Sequence, residues 1–126
     1  MKLNVLLVDD EAEFVDAFAE RLRLRGFNPL VANSGEQALR MVDEEQVRIM
    51  VLDLKMPGID GLEVLRRVKK KHPETQVIIL SGHGATQDEQ AARNLGAFEY
   101  LRKPADIGSV LEALKRAENY LASEAQ

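Results

Sequence analysis

Five short apolar segments alternate with longer amphipathic segments along this chain. The apolar segments are residues 4–8, 28–32, 49–52, 76–80 and 98–101. Each is short and almost entirely apolar, as expected of strands that are covered on both faces. Strands that alternate with helices favour a parallel sheet with right-handed crossovers and helices on both sides. The pattern predicts an α/β fold with a five-stranded, doubly wound parallel sheet.

The segments between the strands have the period and the boundary signals of helices. In the first, Phe14, Phe18 and Leu22 recur at helical spacing and predict a stripe that faces the core. Capping-box spacing marks three helix starts: Ser34 with Gln37, Asp60 with Glu63, and Thr86 with Glu89. Gly26 and Gly96 stand where helix C-caps are expected.

Length and composition indicate one globular domain over residues 1–126. A chain of 126 residues with 45% hydrophobic residues can build one core. The final residues, 122–126, are predicted to form a flexible tail. Nothing after the last predicted helix reads as an effector domain, so the chain is interpreted as a stand-alone regulator or as one domain of a longer protein.

Charge and cysteine content exclude several kinds of partner. The net charge is −4, and the run Lys69-Lys70-Lys71 is interpreted as a solvated helix end, so we expect no direct binding of nucleic acid. The apolar N-terminal stretch is interrupted at Asp9, too early for a signal peptide or a membrane span. The absence of cysteine excludes disulfides and thiolate metal sites and fits a cytoplasmic protein.

Acidic side chains follow two of the predicted strands. In a sheet with the order 2-1-3-4-5, the strand order reverses between the first and third strands, and ligands bind at the carboxyl ends there. The first strand is followed by Asp9, Asp10 and Glu11, and the third by Asp53. Lys103 follows the fifth strand. We therefore expect acids and one lysine to converge at this edge of the sheet.

Such a group of acids needs positive charge. At about 5 Å and an effective dielectric near 20, each pair of carboxylates repels by roughly 3 kcal/mol. A hard divalent cation would offset this repulsion, and Mg²⁺ is the default for oxygen ligands beside phosphate. With Lys103 as a second positive charge, the site would attract a phosphoryl group, and a carboxylate could attack it to form an acyl phosphate.

At this point the chain resembles the receiver domains of two-component response regulators, over essentially its whole length. The ordered motifs that carry the resemblance are Asp9-Asp10, Asp53 with Met56-Pro57-Gly58 and Asp60-Gly61, Ser81, Gly96-Ala97, Tyr100 and Lys103-Pro104. The resemblance implies the flavodoxin-like (βα)5 receiver fold. The loop at residues 81–85 and the run at 96–101 also look similar to receivers attached to ATPase-type transcription activators.

The resemblance implies a role for each matching residue. Asp53 would accept the phosphoryl group. Asp10 and Asp53 would bind Mg²⁺ directly, the Lys55 carbonyl would be a further ligand, and Asp9 would act mainly through water. Lys103 would contact the phosphoryl oxygens, and the Lys103-Pro104 bond would be cis. Ser81 would donate its hydroxyl to the phosphoryl group and Tyr100 would swing inward behind it, so these two would form the switch.

The resemblance also implies partners. A sensor histidine kinase or a histidine phosphotransfer protein would supply the phosphoryl group. An output partner or effector domain would bind the face formed by the fourth helix, fifth strand and fifth helix, and phosphorylation could produce a homodimer. The domain would contact no membrane. It would be a signalling switch, with only self-catalysed phosphoryl transfer and slow autodephosphorylation, rather than a metabolic enzyme.

Several alternatives stay open at this stage. The acids at 9–11 could simply cap the first helix, Ser81 could be a loop cap, and Tyr100 could be a packing residue with a hydrated hydroxyl. His83 is interpreted as a solvated loop residue. A flavodoxin-like carrier lacks its phosphate loop here, and a haloacid dehalogenase-type phosphatase would need an acid where Lys55 stands. A receiver-like interaction module that is never phosphorylated is the main competing function.

Overall fold

A computed structural model describes residues 3–82 and 86–124 of the chain. Five strands alternate with five helices, in agreement with the sequence pattern. The strands are β1 (Asn4–Val8), β2 (Asn28–Ala32), β3 (Ile49–Leu52), β4 (Gln76–Ser81) and β5 (Glu99–Arg102). The helices are α1 (Ala12–Leu24), α2 (Gly35–Glu44), α3 (Gly61–Lys71), α4 (Thr86–Asn94) and α5 (Ile107–Glu124).

The strands form one parallel sheet in the predicted order β2-β1-β3-β4-β5. At the carboxyl end of β1, which lies between β2 and β3, Val8 pairs with Ala32 of β2 and with Leu52 of β3. The chain therefore runs from β1 toward β2 and from β3 toward β4, in opposite directions across the sheet. The residues that follow these two strands meet at the point where the strand order reverses.

Side chains alternate between two cores, one on each face of the sheet. Leu6 and Val8 of β1 pack into a core with α2, α3 and α4. Val5 and Leu7 of the same strand pack into the opposite core with α1 and α5. This alternation is the expected result of a strand that is buried on both faces. The functional edge is thus held by strands that are themselves fixed from both sides.

The helix boundaries follow the sequence signals. The Ser34 hydroxyl accepts a hydrogen bond from the Gln37 N–H at 3.1 Å, and the Asp60 carboxylate accepts one from the Glu63 N–H at 3.0 Å. Gly26 and Gly96 follow α1 and α4 with φ of 89° and 101°, the left-handed conformation that glycine adopts without strain. The third predicted cap rests on the side chain of Thr86, which lies outside the described part of the structure.

Helix α5 is longer than the sequence indicated. It continues through Glu124, so the prediction of a flexible tail is wrong for residues 122–124, while 125 and 126 lie outside the described residues. Leu121 is buried in the core, and the Tyr120 hydroxyl donates a hydrogen bond to Glu124 at 2.9 Å. These contacts support the last turn. In the part of the chain that the structure describes, no helix has the length and apolar character needed to span a membrane.

Candidate functional site

Three carboxylates meet at the carboxyl ends of β1 and β3. One oxygen from each of Asp9, Asp10 and Asp53 lies within 4.8 Å of the others. Asp9 and Asp53 are buried, whereas Asp10 is exposed. The three carboxylates form an all-oxygen donor set, which suits a hard divalent cation such as Mg²⁺. The convergence predicted from the two strand ends is therefore present, and Asp10 offers the cluster an approach from solvent.

Asp53 is held rigidly by its neighbours. Its N–H donates to the Val8 carbonyl at 3.0 Å, which ties it to the end of β1. A Cβ on Gly61 would lie 2.5 Å from the Asp53 carbonyl oxygen, so only glycine lets α3 begin this close to the loop. One Asp53 oxygen accepts a hydrogen bond from the Lys55 N–H at 3.4 Å. The carboxylate is thereby fixed near the centre of the acidic pocket.

Lys103 approaches this pocket from β5. Its ammonium lies 2.8 Å from an Asp9 oxygen, 3.3 Å from Glu11 and 4.0 Å from Asp53. The Lys103 N–H donates to the Ser81 carbonyl at 3.0 Å, and the Lys103-Pro104 bond is cis, as the resemblance implied. The lysine thus balances part of the negative charge, but its direct partners are Asp9 and Glu11 rather than Asp53.

The two residues predicted to form the switch both lie inside the protein. Ser81 ends β4, is fully buried, and lowers the pKa of the Asp53 carboxyl through its side chain. Tyr100 in β5 is only 7% exposed, and its hydroxyl is buried without a hydrogen-bond partner among the described residues. Tyr100 is thus a packing residue in this conformation, as the alternative predicted, and its hydroxyl lies inside the core rather than at the surface. His83, interpreted as solvated, lies outside the described residues.

The electrostatics of the pocket act on Asp53 and Lys103 differently. Burial raises the pKa of Asp53, and Asp9 adds to this effect, while Lys103, Ser81 and the Lys55 N–H oppose it. For Lys103, burial is the largest influence and lowers the pKa, but Asp9, Asp53 and Glu11 together outweigh it, so its pKa is raised. Lys103 therefore stays protonated and positively charged, whereas ionising the neighbouring Asp53 carboxyl costs free energy.

This cost predicts a pH-dependent gain in stability for Asp53→Asn. Because the folded-state pKa of Asp53 is raised, ionising it destabilises the fold, and this penalty is present above the raised pKa and absent below the ordinary value of 3.8. In metal-free buffer at neutral pH, the neutral amide should raise the melting temperature. The advantage should disappear as the pH falls toward 3.8. Thermal melts of both proteins across this range test the prediction, and an equal gain at every pH would contradict it.

Two contacts of Lys103 were not predicted from the sequence. Glu11 had been considered as a helix cap, but it is the N-cap of α1 without any side-chain capping bond, and its carboxylate contacts Lys103 instead. Phe14 had been assigned to the core-facing stripe, yet it is 38% exposed and its ring lies over the Lys103 ammonium at 4.7 Å. Phe14 lies in the first turn of α1.

The comparisons with known proteins agree with this geometry. An NtrX-like response regulator of Rickettsia typhi is 41% identical over 118 residues, which are 92% of this chain and 25% of that protein. This chain therefore spans about a quarter of the length of the first curated relatives that it matches.

Solved structures agree as well. NtrX from Brucella abortus, solved in complex with ADP, superposes with a TM-score of 0.91 at 30% identity, covering 99% of this chain and 29% of that one. A CheY-like receiver domain protein from Methanospirillum hungatei has the same fold, with a TM-score of 0.96 at 24% identity over 98% of this chain and 99% of the other. The family described as the response regulator receiver domain matches residues 5–115. Because that match spans most of the chain, this protein belongs to the receiver domain family of two-component response regulators.

Proposed function

We propose that this receiver domain accepts a phosphoryl group on Asp53 in a Mg²⁺-dependent reaction, and that the phosphorylated domain signals to an output partner. The observation that carries the proposal is a buried carboxylate surrounded by two further acids and a charged lysine. A carboxylate oxygen of Asp53 would attack phosphorus, and the bond from phosphorus to the donor would break. The product is an acyl phosphate, and the donor leaves with the electron pair of the broken bond.

The acids would hold the metal ion. Asp10 and Asp53 would be direct ligands, the Lys55 carbonyl a further one, and Asp9 would act mainly through water. Bound Mg²⁺ would supply positive charge to the phosphoryl oxygens. Support comes from the oxygen donors of the cluster and from the exposure of Asp10, which leaves the site open to solvent and to a phosphodonor.

Lys103 and Ser81 would contact the phosphoryl group itself. The Lys103 ammonium lies 4.0 Å from the Asp53 carboxylate, and the buried Ser81 side chain is close enough to lower the pKa of that carboxyl. Both could therefore donate to phosphoryl oxygens with small movements. Tyr100 lies on β5, two residues before Arg102. Its movement would transmit the effect of phosphorylation to the surface formed by α4 and β5.

Metal binding predicts a thermal shift that depends on Asp10. Mg²⁺ should bind only the assembled cluster of the folded state. A free Mg²⁺ concentration of ten times the Kd would therefore raise the free energy of unfolding by about 1.4 kcal/mol, or the melting temperature of a domain of this size by roughly 5 °C. Asp10→Ala should abolish the shift. It should also leave the apoprotein at least as stable, because one repelling charge is removed.

The control for this experiment is Asp16→Ala, which removes an exposed acid of α1 and should keep the full Mg²⁺ response. A parent protein whose melting temperature ignores millimolar Mg²⁺ would exclude the cluster as a metal site. A response that survives in Asp10→Ala would exclude Asp10 as a ligand.

The proposed partners follow from the family. A sensor histidine kinase or a histidine phosphotransfer protein would donate the phosphoryl group in the cytoplasm, and the face of α4, β5 and α5 would bind the output partner or form a homodimer. Ionic contacts on this face join its elements: Arg102 of β5 binds Glu89 of α4 at 3.0 Å, and Arg116 of α5 binds Glu99 of β5 at 2.6 Å. A change in β5 would therefore be transmitted to both helices.

We further propose that the domain is a switch and not a metabolic enzyme, with only self-catalysed phosphoryl transfer and slow autodephosphorylation. The competing function is an interaction module that is never phosphorylated. One pocket contains Asp9, Asp10, Asp53, Ser81 and Lys103. This combination favours a receiver that is phosphorylated over an interaction module that is not. Incubation with Mg²⁺ and acetyl phosphate, followed by mass spectrometry, distinguishes the two: one added phosphoryl group supports the proposal, and none supports the module.

A further inference from the structure

We infer that Glu11 is a positioning residue that holds the Lys103 ammonium away from Asp53 and so slows phosphoryl acceptance. The inference rests on the proposed function, because it concerns the lysine that would contact the phosphoryl group. Glu11 is not among the clustered acids that could hold a metal ion, the sequence suggests only a helix cap for it, and the family resemblance assigns it no role.

Among the described residues, the hydrogen-bond partners of the Lys103 ammonium both lie in the segment that joins β1 to α1. Asp9 lies at 2.8 Å and Glu11 at 3.3 Å, both within hydrogen-bonding distance. Asp53, at 4.0 Å, lies beyond it. The ammonium is thus drawn toward the β1 side of the pocket, and the carboxylate that would react is left without a direct bond to it.

Phe14 covers another side of the same ammonium. Its ring centroid lies 4.7 Å from the lysine nitrogen, and the ring packs against Phe18 with centroids 5.8 Å apart. Phe18 is buried in the core beneath α1, which fixes the position of the pair. A cation over an aromatic face is attracted to it, so Phe14 favours the same retracted position as Glu11.

Among the described residues, Lys103 is the only partner of the Glu11 side chain. Its side chain is 67% exposed and makes no capping bond to α1. Its backbone N–H is bound by the Asp9 carboxylate at 2.9 Å, so the course of the chain here does not depend on the Glu11 side chain. Neutralising Glu11 should therefore change the electrostatics of Lys103 without unfolding the loop.

Lys103 would stay in the pocket without Glu11. The Asp9 contact remains, and the Lys103 N–H stays bonded to the Ser81 carbonyl at 3.0 Å. When a phosphoryl group arrives on Asp53, the ammonium must move toward it and lengthen the contact to Glu11. Glu11 therefore favours the unphosphorylated arrangement over the phosphorylated one, and its removal should favour phosphorylation.

The experiment compares Glu11→Gln with Glu13→Gln. Glu13 is another exposed acid in the first turn of α1, so this control removes the same charge nearby without a contact to Lys103. With saturating Mg²⁺, Glu11→Gln should accept phosphate from acetyl phosphate about two- to fivefold faster than the parent, the range that an exposed ion pair supports. Glu11→Gln should also bind beryllium fluoride, which mimics the phosphoryl group, more tightly than the parent does, by a similar factor. Glu13→Gln should stay close to the parent in both measurements.

Each outcome either supports or overturns the inference about Glu11. A melting temperature near that of the parent, together with the faster rate, separates this role from a structural one, since a damaged fold would not react faster. Equal acceleration in both variants would mean that only overall charge matters, and no acceleration or a slower Glu11→Gln would also overturn the inference. If the parent is not phosphorylated on Asp53, the proposed function itself fails; if it is, and Glu11→Gln is no faster, only this inference fails.

Discussion

Asp53→Asn is expected to abolish phosphorylation by acetyl phosphate, the largest effect that any single substitution in this domain should produce. An amide cannot replace a carboxylate oxygen as the nucleophile, although it occupies the same space. Asp53 is the acid whose position is fixed from three directions, by Val8, Lys55 and Gly61. Intact-mass measurement after incubation with Mg²⁺ and acetyl phosphate should show one added group in the parent and none in the variant.

The matched control is Asp16→Asn, the same chemical change at an exposed position of α1 away from the pocket. It should be modified as fully as the parent. The group added to the parent should be released by base and by hydroxylamine, as an acyl phosphate is and a phosphoserine is not. If Asp53→Asn still gains the group, another residue is the acceptor, and the stability gain expected for this variant shows whether it remains folded.

The fold could be predicted from sequence because its main signals are local. Strands buried on both faces must be short and apolar, and Ile49–Leu52 is entirely buried, as its composition requires. Alternation with helices leaves few topologies once crossovers must be right-handed. The least predictable feature was the end of α5, where a buried Leu121 and a bond from Tyr120 to Glu124 extend a helix past its last apolar position.

The positions of the acids could also be predicted, since residues that follow parallel strands share one edge of the sheet. The directions of individual side chains could not. Lys103 has a long, flexible side chain, and the sequence does not reveal whether its ammonium turns toward Asp9, Glu11 or Asp53. Helical periodicity assigned Phe14 to the core because it counts spacing along the helix. Helical spacing does not indicate that the Phe14 ring lies over the Lys103 ammonium.

We expect Ser81 to determine whether phosphate on Asp53 changes the rest of the domain. A ligand or modification shifts a conformational equilibrium only through contacts that differ between the two states. Ser81 is buried, lowers the pKa of the Asp53 carboxyl through its side chain, and pairs with Arg102 across β4 and β5. Arg102 in turn lies over the Tyr100 ring at 5.7 Å and binds Glu89 of α4. A continuous series of contacts therefore leads from the phosphoryl site to the α4 and β5 surface.

Ser81→Ala should accordingly accept phosphate but respond weakly to it. The phosphoryl group would keep Mg²⁺ and Lys103 as partners, so the chemistry should persist. A hydrogen bond to a charged group contributes about 1.5–3 kcal/mol, so its loss should lower the equilibrium constant for the switched state roughly 10- to 150-fold. Amide NMR shifts on α4 and β5, with beryllium fluoride in place of the phosphoryl group, measure this response.

Ser81→Thr is the control, because it keeps the hydroxyl and should retain shifts similar to those of the parent. Shifts of parental size in Ser81→Ala would refute the coupling through Ser81. Shifts confined to the acidic pocket in every variant would mean that the domain does not switch through Tyr100. Loss of phosphorylation together with the shifts would instead make Ser81 part of the chemistry, since its hydroxyl would then be needed to stabilise the phosphoryl oxygens during transfer. The structure favours separable roles, because Lys103 and the acids surround Asp53 without the help of Ser81.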